Sequence, residues 1–175
     1  MIRLSGTLFA VALVCAVILA FVFQQTAPII AEQKQMLFER SCREVLKADR
    51  YQQNEKLPAC YNAFDENGNF VGWCVKAQAK GYGGKMDLLV GVDSQGMVTA
   101  VKVLEHKETP GLGSRMSEPA FIDRFKQKNI EDIVLVKGKT DKNIQAITGA
   151  TISSRAVVDA VRSDVSALLE KIKEQ

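Results

Sequence analysis

Residues 8–23 carry no charged or strongly polar side chain, and Ser5, Gly6 and Thr7 lengthen that run without adding charge. A helix rises ~1.5 Å per residue, so the stretch nearly crosses a hydrocarbon layer ~30 Å thick. Lipid offers backbone amides no partners, and a helix pairs its own. The rival is a cleaved secretory signal with Arg3 as its short basic start. The run exceeds a usual signal core, and residues 24–31 offer only a poor Ile-x-Ala cleavage site, so an uncleaved anchor is favoured. Lys34, Arg40, Arg43 and Lys47 follow the run; by charge alone they mildly place the following domain inside.

The chain's 175 residues leave room for one modest domain. Its net charge of +3 is spread among interspersed acids and bases, with no basic run interleaved with aromatics. A nucleic-acid partner is therefore not expected. Cys15 lies in the apolar run. Cys42, Cys60 and Cys74 remain, enough for one disulfide and a spare thiol or for three buried thiols. With no Cys-x-x-Cys pair and His106 as the single histidine, no metal site of zinc, haem or iron–sulfur type is expected.

Past the run, Pro28 suits the first turn of a further helix beyond a bend. Ile30, Met36, Leu37, Cys42, Val45 and Leu46 form a loose apolar stripe through about Ala48. Residues 49–59 are polar, contain Pro58 and read as a connector. The chain thus divides into a tip and transmembrane anchor (1–27), a helical connector (28–59) and a domain (60–175). Strands at 61–64 and 70–79 flank the turn signal Asn67-Gly68, with Val71, Trp73, Val75 and Ala77 alternating onto one face. A second hairpin, 86–93 with 97–104, turns at Ser94, Gln95 and Gly96. Ser117 suits a helix cap before Glu118 and Pro119, with Phe121 and Phe125 on one face. Residues 133–136 are β-prone, and a long last helix buries Ala156, Val157, Ala160, Val161, Val165, Leu168 and Leu169. The expected class is α+β, a mainly antiparallel sheet with flanking helices.

Three loops have glycines that neither helix nor strand explains. Gly81, Tyr82, Gly83 and Gly84 form a plain turn, or let backbone approach a flat or anionic ligand with a ring to stack on it. Glu108, Thr109, Pro110, Gly111, Leu112 and Gly113 put a carboxylate, a hydroxyl and two glycines after a strand, where binding groups concentrate. Thr148, Gly149, Ala150 and Thr151 lead, with Ser153 and Ser154, into the last helix. That is either a routine cap or a seat for phosphate at a helix N-terminus.

Together, in this order and spacing, the three loops and the single N-terminal span resemble the G subunit of the Rnf electron transport complex. They are similar, more distantly, to the C subunit of the sodium-pumping NADH:quinone reductase. The resemblance implies an FMN-binding domain at 60–175, with FMN covalently held by a phosphoester on Thr151 and bordered by the other two loops. It implies a dedicated flavin transferase using FAD as donor, other Rnf-type membrane subunits as partners, and electron transfer between ferredoxin and NAD coupled to ion movement. It places the chain in the cytoplasmic membrane, its tip cytoplasmic and its domain outside, against the weak charge bias. Gln145 departs from the acidic residue such sequences often carry. A lone span without intramembrane charge suits an electron-carrier subunit rather than an enzyme by itself. The alternatives are a standalone membrane-tethered flavoprotein serving an extracytoplasmic acceptor, and an assembly module without flavin.

Overall fold

The structure, a computed structural model, describes residues 2–138 and 140–173. Helix α1 is Ile2–Val45. The strands are β1 Arg50–Gln53, β2 Cys60–Phe64, β3 Phe70–Lys80, β4 Lys85–Asp93 and β5 Val98–Glu105. The short helix α2 Pro119–Ile122, the strand pair β6 Leu135–Val136 and β7 Ile144–Gln145, and helix α3 Thr151–Lys173 complete the chain. Residues 1–39 and 40–175 form separate compact units.

The first unit is helix. Val11, Leu13, Val17, Leu19, Phe21 and Phe23 all lie exposed along it, and it is long and apolar enough to cross a membrane. A helix apolar on all sides belongs in lipid or a core. Pro28 does not start a new helix, as its sequence suggests, but sits inside a continuous one. Proline removes one helical hydrogen bond, and the turns on either side carry on.

In the second unit β1 to β5 form an antiparallel sheet in chain order. The predicted connector at 49–59 contributes β1, an edge strand whose polar residues show no alternation. Pairing with β2, from Arg50↔Phe64 to Gln53↔Tyr61, makes it a strand. The β2–β3 and β4–β5 turns share one design. Asp65 and Asp93 each accept the N–H groups two and four residues on, all at 2.8–2.9 Å. Gly68 and Gly96 close them with φ near +80°. Asn67 keeps a negative φ, so the predicted Asn-Gly turn with two left-handed residues is instead a longer turn built on Asp65.

One sheet face holds the main core. Met86, Leu88, Val90 and Val92 of β4 meet Val157, Val161, Val165 and Leu168 of α3, with Phe121 and Phe125 packed edge to face at 5.6 Å. Ser117 does not cap α2. It closes a 3-10 turn, Gly113–Ser117, by donating to the Ser114 carbonyl, because Pro119 already fills the first helical turn of α2.

The opposite face buries Cys42, Val45, Leu46, Ala63, Cys74 and Leu89. Here the last turn of α1 lies on the sheet, and side chains from three strands donate to its carbonyls. Tyr51 Oη donates to Leu46 O (2.5 Å), Thr99 Oγ1 to Val45 O (2.5 Å) and Cys74 Sγ to Cys42 O (3.8 Å). Lys102 and Glu44 add an ion pair at 2.6 Å. Cys42, Cys60 and Cys74 are free, buried thiols. Burial pushes Cys60 up to about 12, and the Cys42 thiol, then burial, holds Cys74 far above the usual thiol range.

Candidate functional site

The three glycine-bearing loops meet around one carboxylate. Glu108, 6 % exposed, follows the end of β5. Its Oε1 accepts the Gly83 N–H (2.9 Å) from the β3–β4 turn, and its Oε2 accepts the Ser153 hydroxyl (2.7 Å) from the first turn of α3. The crowding is extreme. A Cβ on Gly81 would lie 2.2 Å from Oε1, and one on Gly113 2.1 Å from Oε2. These glycines therefore make room for Glu108.

At the start of α3, Gly149 turns the chain with φ +83°, and the Ala150 N–H donates to Ile147 O (3.0 Å). Ser154 Oγ bridges the same turn, accepting from the Ile147 N–H (3.1 Å) and donating to Ala150 O (2.9 Å). Arg124 Nη1 holds the preceding segment through the Gln145 carbonyl (2.7 Å). Thr151 is then the first residue of a 23-residue helix. Such a terminus offers unpaired N–H groups and a partial positive charge.

Beside it opens a groove of about 470 Å³, within the usual size of small-molecule sites. Tyr82, Glu108, Thr109, Leu112, Gly113, Gly149, Ala150, Thr151 and Ser153, all from the three loops singled out in the sequence, line it. Ile152 also lines it and is absent from that reading. The signal was available: a large aliphatic residue on the α3 side away from its buried stripe. Gly81, Gly83 and Ser154 act behind the groove wall. Gly84, Pro110 and Gly111 are not among its lining residues. Thr148 faces a neighbouring hollow of about 160 Å³ with Arg115 and Arg124.

Tyr82, Leu112 and Ile152 are 75 %, 52 % and 59 % exposed, more than any other large apolar side chain described outside α1. Three such side chains around one groove fit a flat apolar ring, and the α3 N-terminus fits a phosphate. A larger hollow, about 570 Å³, lies elsewhere, but Phe64 is the one apolar side chain among its mostly charged and amide lining.

Residues 81–166 match the FMN-binding domain family, and residues 1–45 match the RnfG N-terminal region. The chain is 38 % identical to the G subunit of the proton-translocating ferredoxin:NAD(+) oxidoreductase complex of Clostridium ljungdahlii, over 87 % of this chain and 83 % of that protein. It is 34 % identical to the G subunit of the ion-translocating oxidoreductase complex of Escherichia coli O157:H7, over 82 % and 79 %. Its match to the corresponding protein of Methanosarcina acetivorans, at 41 % identity, covers 60 % of this chain and 55 % of that one. Among solved structures, NqrC of Shewanella oneidensis shares the fold, with a TM-score of 0.54 and 24 % identity over 69 % of this chain and 66 % of that one.

Proposed function

Because this chain belongs to the family of G subunits of Rnf-type ion-translocating oxidoreductase complexes, we propose that it carries FMN on the Thr151 hydroxyl and relays electrons within such a complex. The observation that carries the reading is the grouping of exposed Tyr82, Leu112 and Ile152 around the helix terminus that begins with Thr151. When bound, the isoalloxazine supplies one- and two-electron transfer.

The chain's own residues supply placement. Tyr82, Leu112 and Ile152 give the ring apolar and stacking surfaces. The first-turn amides of α3 face the phosphate. Glu108 fixes the β3–β4 turn against α3 from behind. A phosphoester on Thr151, made by a partner flavin transferase with FAD as donor, keeps the cofactor on a domain that faces the dilute exterior. Helix α1 anchors the chain in the cytoplasmic membrane, and the other subunits of the complex are its partners. Ferredoxin and NAD, named for its relatives, are the proposed ends of the electron path.

The test is fluorescence of the denatured protein in a gel after coexpression with a flavin transferase. Wild type is expected to fluoresce and Thr151→Ala to stay dark. Flavin that survives denaturation in Thr151→Ala would remove Thr151 from the assignment. Flavinylated protein that purifies without membrane partners and still passes electrons onward would favour a standalone carrier.

A further inference from the structure

Glu108 is the buried acid of the groove wall, and its role in packing does not explain its charge. Ser153 can donate or accept, so a glutamine there could keep both hydrogen bonds by reversing the one to Ser153. Burying a carboxylate is costly where a neutral amide would hold the same loops. Donors from two sides partly offset that cost: the Gly83 amide and the Ser153 hydroxyl. The N-terminus of α3, where Ser153 is the third residue, adds its partial positive charge. Lys and Arg are missing from the groove lining, and Glu108 takes part in none of the ion pairs among the described residues. Its field therefore reaches whatever occupies the groove, whose wall Glu108 itself forms.

Resting on the flavin reading above, we infer that Glu108 is a positioning residue whose negative charge also holds the flavin's midpoint potential down. Two-electron reduction of the oxidised ring with uptake of one proton leaves one negative charge on the ring. A fixed carboxylate in the groove wall opposes that charge and leaves the neutral oxidised ring unaffected. The same wall thus orients the cofactor and makes it a stronger reductant.

Midpoint potentials of the flavin-loaded full-length protein test this. Glu108→Gln is expected to shift the potential positive by at least a tenfold change in the reduced-to-oxidised ratio, about 30 mV for a two-electron couple. Ser153→Ala keeps the carboxylate and removes a donor that damps it, so its potential is expected to shift negative. Opposite signs separate a charge effect from mere loosening, which would move both variants alike. If Glu108→Gln fails to fold or load, the sign of the Ser153→Ala shift alone decides. An unchanged or negatively shifted potential in Glu108→Gln, or a positive shift in Ser153→Ala, overturns the inference. Wild type without flavin would instead refute the flavin reading itself.

Discussion

At the scale of single residues, the site is governed by the volume Glu108 takes up. Its oxygens occupy the places where side chains on Gly81 and Gly113 would begin. Gly113→Ala is expected to destabilise the second unit by about 1–3 kcal/mol, the usual cost of overpacking. Glu108→Ala should remove the closest clash, leaving Ser153 Oγ at 2.9 Å and the position-108 Cβ at 3.0 Å, so the two changes together should cost less than their sum. Urea midpoints of the four proteins in that cycle measure the coupling; strict additivity would mean that the loop absorbs the methyl elsewhere. Sequence exposed these glycines as anomalous but could not say what crowds them. For Gly81 the crowding atom comes from another loop, and for Gly113 from five residues earlier in its own; sequence spacing carries no information about which loops converge or how one folds back on itself.

Among the elements, those with their own alternation or stripe were legible, short β2 included, while β1 and the continuity of α1 through Pro28 were not. β3, β4 and α3 announce themselves by alternation or a helical stripe. β1 is polar throughout and is a strand by partnership alone. The seating of the last α1 turn was equally hidden, because a stripe of Cys42, Val45 and Leu46 does not name its partner. Leu46→Ala should cost about 2–5 kcal/mol, as a buried leucine does, a loss that chemical denaturation of the full chain in detergent would register.

Helix α3 holds a pH-dependent weakness. Burial lifts the Asp164 carboxyl above its ordinary value, partly offset by a hydrogen bond from the Gln78 backbone. The fold therefore binds that proton more tightly than the unfolded chain. Stability falls as pH rises from the ordinary value near 3.8 through the raised one. Asp164→Asn is expected to raise the urea midpoint at neutral pH and to match wild type once the medium is more acidic than that ordinary value. A variant less stable than wild type at neutral pH would show that the lost charge was favourable.

For the whole molecule, the buried thiols give a clean background for locating the domain. Cys42, Cys60 and Cys74 are at most 2 % exposed, and Cys60 and Cys74 resist ionisation, so a thiol reagent leaves them alone; Cys15→Ser removes the exposed thiol of α1. Glu66, exposed in the β2–β3 turn, can carry a reporter. Glu66→Cys should react with a membrane-impermeant maleimide on intact cells if the domain lies outside; labelling that requires lysis would place it inside. The walls of the groove are drawn from the turn after β3, the loop after β5 and the tip of α3. No single stretch of chain contains a seat for the ring, and none exists before the sheet has closed and the last helix has docked. A flavin tethered near that helix tip would tumble freely on an unfinished chain and be stilled on a finished one. Its polarised emission would therefore serve as an optical gauge of maturation, read without any added label.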